Sequence, residues 1–100
     1  MAPQVRIDPG CIEAFCRKWK IRELSLFGSV LGPSFRPDSD VDVLIVWDEG
    51  AAWDLWDHLH AEEELAAILG RKVDLVDEST LRNPFRRYHI LKHREIIYAV

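Results

Sequence analysis

Apolar residues recur at helical spacing near the start of the chain. The i, i+3, i+4, i+7 pattern of one helix face is met by Ile12, Phe15, Cys16 and Trp19. Asp8 precedes them with a side chain that can accept hydrogen bonds from free backbone N–H groups, and Pro9 suits a first helical turn. The pattern predicts a helix that begins after Asp8.

Shorter apolar segments have the pattern of strands. Leu24 and Leu26 alternate with polar residues, while the β-branched run VDVLIVW is apolar enough for a well-buried strand. The predicted strands cover about Arg22 to Phe27, Val41 to Trp47, Val73 to Val76 and a final short segment, Ile96 to Tyr98. Residues 32 to 39, GPSFRPDS, are rich in Gly, Pro and Ser and predict a loop.

Two further helices complete the order. One is predicted from about Trp53 to Leu69, ended by Gly70. Its inner stripe is expected to hold Leu55, Ala61, Leu65, Ile68 and Leu69. Asn83-Pro84 can open a last helix through about Lys92, with Phe85, Tyr88 and Leu91 facing inward. This order of elements predicts a small α/β (α+β) domain over residues 1–100, with one short mixed β-sheet backed by helices.

Composition excludes several classes of protein. The chain has 100 residues, 48% of them hydrophobic and 30% charged, which argues against both a membrane protein and a disordered chain. The formal charge of -4 is weak evidence against a dedicated nucleic-acid binder. Cys11 and Cys16 point to different helix faces, so a disulfide between them is not expected. With no apolar leader in MAPQVRID, the expected location is the cytoplasm.

Acidic residues flank the start of the most apolar strand. Asp40 and Asp42 lie two apart, so on a strand both side chains point the same way, about 7 Å apart. Such a pair can hold Mg²⁺ together with phosphate oxygens. Gly28-Ser29 ends the preceding strand, and a glycine there lets the backbone approach a phosphate closely. If the two strands are neighbours, a triphosphate can lie between the turn and the acids.

A third acid has a matching position on a later strand. Asp74 alternates with Val73 and Leu75, which would be buried on the opposite face. It is a candidate to complete a carboxylate triad, where it would hold a metal and take the proton from an attacking hydroxyl. Burying carboxylates costs stability unless a cation compensates, so the combination indicates a site. Spacing alone leaves a purely structural role open.

The segment FGSVLGPSFRPDSDVDVLIV and the later Arg71-Lys72-Val73-Asp74 resemble the nucleotidyltransferase superfamily related to DNA polymerase β. Within it, the chain is similar to the minimal nucleotidyltransferases of the MNT group, which pair with HEPN toxins. The resemblance covers about residues 20 to 98. It implies a nucleotidyltransferase fold, a protein adenylyltransferase activity and Mg²⁺ as the cofactor. Its metal and catalytic residues match Asp40, Asp42 and Asp74, and its nucleotide-binding residues match Gly28, Ser29 and Ser39.

The resemblance also implies a substrate and a partner. AMP would pass from ATP to a tyrosine hydroxyl on a HEPN RNase toxin, with this chain as the antitoxin and no direct contact to nucleic acid. One departure stands out: family members often have an Arg in the loop where this chain has Val30-Leu31-Gly32-Pro33. Arg36 is a possible substitute. The departure keeps open a binding-only antitoxin with a degenerate site, and a small-molecule or RNA acceptor is a third hypothesis.

Several other residues have both a structural and a functional interpretation. His58 and Glu62 best fit a helix-surface pair. His89 and His93 are also four residues apart, but a metal role for them has little support because no other residue at the site has ligand spacing. The basic residues between Arg82 and Arg94 have two interpretations. Positive charges stabilise the C-terminus of a helix, or some of these residues contact a nucleotide or RNA. The tryptophans are either packed inside or part of a partner surface; they are Trp47, Trp53 and Trp56.

Overall fold

The part of the chain that the structure describes contains three helices and four strands. A computed structural model describes residues 7–33, 36, 39–48 and 54–100. The elements are α1 Pro9–Trp19, β1 Ile21–Phe27, β2 Val41–Trp47, α2 Leu55–Leu69, β3 Val73–Asp77, α3 Pro84–Lys92 and β4 Glu95–Ala99. Single 3₁₀ turns follow two of the strands, at Gly28–Leu31 and Glu78–Thr80. The predicted helices and strands are confirmed, with ends shifted by one or two residues. The predicted start of α2, Trp53, and positions 34, 35, 37 and 38 of the predicted loop lie outside the described residues.

The helix ends follow from local hydrogen bonding. Asp8 accepts hydrogen bonds from the backbone N–H groups of Gly10 and Cys11, at 3.0 and 3.3 Å, and so caps α1 as predicted. Asp54 and Asp57 bond reciprocally to each other's backbone at the start of α2. Gly70 ends α2 in the left-handed conformation, with φ at 68°.

The sheet has the strand order β3-β2-β1-β4. Strand β1 pairs antiparallel with both β2 and β4, whereas β2 and β3 are parallel. The sheet is therefore mixed, as predicted. Because α2 carries the chain from the end of β2 back to the start of β3, these two strands begin at the same end of the sheet. Strand β1 runs in the opposite direction and finishes at that end.

The two faces of the sheet are covered differently. Helices α1 and α2 pack on one face and bury the larger core, which includes Phe15, Leu24, Val43, Leu65 and Leu75. Helix α3 packs on the other face in a smaller cluster formed by Phe27, Leu44, Leu81 and Ile90. Since α3 has only nine residues, it covers part of that face. The end of the sheet where β2 and β3 begin is left accessible on the α3 side.

The predicted inner position of Leu55 is wrong. This side chain is 71% exposed, whereas Ala61, Leu65 and Leu69 are buried. Leu55 is the first residue of α2, and the buried residues of this helix begin only six positions later, at Ala61. The first turn of α2 therefore lies before the part of the helix that packs on the sheet.

The predicted inner face of α3 is also wrong in part. Phe85 and Tyr88 are exposed, at 83% and 65%, while Ile90 is buried and Leu91 is half-buried. Apolar residues lie on several sides of this short helix, so its periodicity does not select one face. Contact with Phe27 and Leu44 on the sheet selects the side that carries Ile90.

This correction has a direct consequence for stability. Phe85→Ser is expected to change the free energy of unfolding by less than about 0.5 kcal/mol, because the ring is already in solvent. Ile90→Ala is expected to cost about 2–4 kcal/mol, because it removes buried atoms from the contact with Phe27 and Leu44. Urea denaturation of both variants measures the difference. A larger cost for Phe85→Ser than for Ile90→Ala would contradict the observed face of α3.

Two expectations from composition have simple outcomes. Cys11 and Cys16 are both free thiols, so no disulfide joins them. Burial raises the pKa of the Cys16 thiol to about 12. Across the ranges that the structure describes, none of the helices has the length and apolar character needed to span a bilayer.

Candidate active site

The register of the sheet places two of the predicted acids side by side. Asp42 on β2 is the direct partner of Asp74 on the parallel strand β3, and of Phe27 on β1. Residues in register across neighbouring strands share a face of the sheet, about 4.8 Å apart in the hydrogen-bonding direction. This face is the one on which α3 packs, because Leu44 of the smaller cluster lies two residues after Asp42. Asp42 and Asp74 thus form a row at its accessible end.

Asp40 and Asp74 place two further carboxylates near Asp42. Burial, and then the neighbouring carboxylates of Asp74 and Asp40, raise the pKa of Asp42 above its ordinary value. The guanidinium of Arg86 acts in the opposite direction. Asp42 is half-buried, whereas Asp40 and Asp74 are exposed. The site therefore concentrates negative charge that a cation would relieve.

Gly28 lies directly against this acidic row. Its φ is +77°, a conformation that L side chains rarely adopt. A Cβ atom at this position would lie 2.3 Å from Oδ2 of Asp42. The position therefore requires glycine for its backbone angle and for its contact with the carboxylate. Ser29 follows in the 3₁₀ turn Gly28–Leu31, so the predicted turn and the predicted acids meet.

The segment before the acids is anchored by Arg71. Its Nη2 donates to the backbone carbonyls of Arg36 and Ser39, at 2.7 and 2.8 Å. The backbone N–H of Arg36 donates to Oγ of Ser39 at 3.1 Å, while Val41 N–H donates to the Lys72 carbonyl at 2.8 Å. Ser39 thus has a structural bond in the turn, and its nucleotide contact stays a prediction. These bonds fix the backbone that leads into Asp40.

The acidic row could provide part of the coordination of a magnesium ion, with oxygen atoms of a bound phosphate providing the rest. Among the residues that the structure describes, no three acidic, histidine or cysteine side chains are grouped closely enough to hold a metal by themselves. Mg²⁺ is commonly bound through one or two carboxylates, with phosphate and water oxygens completing its octahedron. The two register-paired carboxylates meet that requirement. The predicted metal role of Asp42 and Asp74 is therefore compatible with a site completed by phosphate, and that of Asp40, which precedes β2, stays a prediction.

An open cleft adjoins the Gly28-Ser29 turn. It has a volume of about 740 Å³ and lies between this turn, the last turn of α3 and the start of β4. We call it the α3 cleft; it is lined by Phe27, Gly28, Ser29, Leu31, Gly32, His89, Ile90, His93, Arg94 and Glu95. Positions 86, 89 and 93 of α3 have the spacing i, i+3, i+7, so Arg86, His89 and His93 share the side toward the turn and the acids.

The basic cluster is divided between structural and site positions. Arg87 forms an ion pair with Glu78, and Arg94 forms one with Glu23. Arg86 has no hydrogen bond or ion pair through its side chain with any described residue, although its charge acts on Asp42. Sequence reasoning kept a nucleotide contact open for this cluster without identifying Arg86. No motif identifies it, because its position depends on how α3 docks on the sheet.

The structure also bears on the alternative interpretations of His58, Trp47 and Trp56. His58 lies 3.9 Å from Glu62 on α2, and the Glu62 carboxylate accepts a hydrogen bond from the Leu75 backbone at 2.9 Å. The helix-surface interpretation of this pair therefore holds, with an added bond to the edge strand. Trp47 is half-buried and donates to Asp77, whereas Trp56 is 68% exposed. Trp53 lies outside the described residues.

Comparison with known proteins identifies the family of this chain. A family model described as the nucleotidyltransferase domain matches residues 9–97. The chain therefore belongs to the nucleotidyltransferase domain family. Within that family it is related to the protein adenylyltransferase MntA of Thermococcus cleftensis. The two are 35% identical over 82 residues, which make up 82% of this chain and 78% of the relative.

Solved structures show the same fold. A chain assigned as a minimal nucleotidyltransferase superposes with a TM-score of 0.70 at 31% identity, covering 86% of this chain and 85% of its own. A chain from the complex of a tri-AMPylated Shewanella oneidensis HEPN toxin with an MNT antitoxin superposes with a TM-score of 0.65 at 19% identity. That alignment covers 92% of this chain and 70% of the other. The predicted α/β architecture with a mixed sheet is confirmed.

Proposed function

We propose that this chain is the antitoxin of a HEPN/MNT pair and transfers AMP from ATP to a tyrosine hydroxyl of its HEPN toxin. The observation that carries the proposal is the register pairing of Asp42 with Asp74 directly beside Gly28. Kinship with a protein adenylyltransferase supports the reaction, and the fold shared with a chain of a HEPN–MNT complex supports the partner. One domain over residues 1–100 would supply all the catalytic residues named below.

Each predicted site residue has a role that suits its position. Asp40 and Asp42 would hold Mg²⁺, whose charge would neutralise the phosphate oxygens during transfer. The backbone at Gly28 and the hydroxyl of Ser29 would contact the polyphosphate, which the positive φ of Gly28 allows to approach closely. Ser39 would support the nucleotide from the loop that Arg71 anchors.

The proposed reaction forms one bond and breaks another. The acceptor oxygen forms a bond to the α-phosphorus of ATP, and the bond between that phosphorus and the oxygen bridging to the β-phosphate breaks. Pyrophosphate leaves, and the proton of the acceptor hydroxyl passes to the Asp74 carboxylate. Asp74 is exposed beside Asp42, so an incoming hydroxyl can reach it.

Arg86 is the cation that would replace the missing loop arginine. Its side chain has no ion pair with a described residue, yet its charge acts on Asp42. Arg86→Ala is expected to lower the rate of AMP transfer about tenfold to a hundredfold, because a positive charge beside the polyphosphate is lost. Transfer of labelled AMP measures the effect. Arg82→Ala is the matched control, and equal losses in the two variants would remove Arg86 from the site.

The stoichiometry of toxin neutralisation separates an enzyme from a binding-only antitoxin. A purified HEPN RNase toxin, the proposed partner, is incubated with MgATP and increasing amounts of this protein, and its RNase activity is measured. An enzyme neutralises toxin at a small fraction of the toxin concentration, because each molecule acts repeatedly. The Asp40→Asn variant should lose this repeated action, so that each molecule neutralises at most one molecule of toxin. Equal, stoichiometric neutralisation by both would establish the binding-only alternative.

A further inference from the structure

The α3 cleft continues directly from the proposed phosphate site. Gly28 and Ser29 line the cleft and also form the turn beside the acids. A group that fills the cleft can therefore be covalently continuous with a polyphosphate at the turn. The volume of about 740 Å³ lies within the range of small-molecule sites, roughly 300–1,000 Å³.

The lining of the cleft suits a nucleoside better than more phosphate. Phe27, Leu31 and Ile90 provide apolar surface, and Glu95 adds a carboxylate that would repel an anion. One oxygen of Glu95, Oε2, is buried and has no hydrogen-bond partner in the described part of the chain. A buried acceptor without a partner is costly, so a ligand that donates an N–H or O–H group would be favoured here.

His89 and His93 give the cleft a wall of flat rings. Their centroids are 4.6 Å apart and their planes are inclined by 46°. Neither imidazole has a hydrogen bond or ion pair with another described side chain, and both residues are exposed. Free aromatic surface beside a phosphate site is where nucleobases commonly stack.

We propose that the α3 cleft binds the nucleoside part of the nucleotide, with the base stacked on His89 and His93 and a donor group bonded to Glu95. This inference rests on the proposed function, since the phosphates must occupy the Gly28-Ser29 turn for the nucleoside to reach the cleft. In this arrangement α3 contacts two parts of the same substrate. Arg86 faces the polyphosphate, and the two histidines face the base.

Comparing the binding of two ligands separates the contacts made to the nucleoside from those made to the phosphates. Affinities for MgATP and for magnesium tripolyphosphate are measured by calorimetry on the whole chain. The double variant His89→Ala/His93→Ala is expected to bind MgATP about tenfold more weakly, because base stacking is lost. Its affinity for tripolyphosphate should stay within about twofold of the wild type. Asp42→Asn should weaken the binding of both ligands.

The control for the double variant is a histidine outside the α3 cleft. His60→Ala changes an exposed histidine on α2 and should bind both ligands as the wild type does. Equal weakening of both ligands in the double variant, or no weakening, would overturn the nucleoside assignment while leaving the proposed function intact. A wild-type chain that binds neither ligand in magnesium would overturn both. The single variants His89→Ala and His93→Ala replace the double variant if it fails to fold.

Discussion

Asp42→Asn is expected to lower AMP transfer by at least about a hundredfold and to remove the stabilisation that MgATP gives the wild type. Asp42 is the centre of the acidic row, because it is in register with Asp74 and in contact range of Gly28. An amide keeps the shape of the side chain and removes its charge, so the fold should persist. Thermal unfolding with and without MgATP, together with labelled AMP transfer, measures both effects.

The same substitution should stabilise the protein in the absence of metal. The pKa of Asp42 is raised in the folded state, so the folded chain binds a proton there more tightly than the unfolded chain does. The stability that this proton gives is present at low pH and is lost as the pH rises through the raised pKa. At neutral pH the wild type therefore carries a repulsion that asparagine removes. The gain should be about 1 kcal/mol or less, because the group is half exposed and screened.

Asp48→Asn is the matched control for Asp42→Asn. Asp48 follows the other end of β2 and is exposed, far along the strand from the acidic row. Its substitution should change neither MgATP stabilisation nor transfer. If Asp48→Asn and Asp42→Asn behave alike, the acidic row is not a metal and nucleotide site.

Gly28→Ala is expected to reduce AMP transfer about a hundredfold and to destabilise the fold by about 1–2 kcal/mol. The stability cost comes from a side chain at φ +77°. The larger loss of transfer comes from the added Cβ, which would meet Asp42 Oδ2 at 2.3 Å and displace the carboxylate. Displacing a catalytic group by about 1 Å commonly costs a factor of a hundred. Urea denaturation and labelled transfer separate the two effects.

Two other glycines separate strain from displacement. Gly70 has a φ of +68° and open space around its Cβ position, so Gly70→Ala should cost about 1 kcal/mol of stability with transfer unchanged. Gly10 lies in the first turn of α1, outside the lining of the α3 cleft, and its Cβ position has only an ordinary contact with Asp8, so Gly10→Ala should leave transfer unchanged. A loss of transfer in Gly70→Ala equal to that in Gly28→Ala would show that global strain, and not the position of Asp42, controls the site.

The sequence predicts the acidic pair because strand alternation is a local property. Alternation fixes the side of Asp42 on β2 whatever the strand pairs with, whereas Asp40 precedes the first strand residue, Val41, so its direction stays a prediction. The meeting of Asp42 with Asp74 depends on the parallel pairing of β2 with β3, which no local pattern determines. The contact between Gly28 and Asp42 likewise depends on the β1–β2 register.

Helix α3 shows where local pattern fails. Phe85 and Tyr88 are apolar enough to suggest a buried stripe, but the sheet is contacted through Ile90. This choice turns Arg86, His89 and His93 toward the site, so the error about the buried face concealed the site residues too. A short helix with apolar residues on several sides is oriented by its tertiary contacts, and the sequence pattern does not determine that orientation.

The position of the label in ATP tests the central claim most directly. The protein is incubated with Mg²⁺, a purified HEPN toxin as the proposed acceptor, and ATP labelled at either the α- or the γ-phosphate. Transfer of AMP predicts that α-label appears on the HEPN protein, that γ-label appears in pyrophosphate, and that Asp42→Asn abolishes both. Label from the γ-phosphate on the HEPN protein, or equal α-labelling by wild type and Asp42→Asn, would contradict AMP transfer by the acidic row.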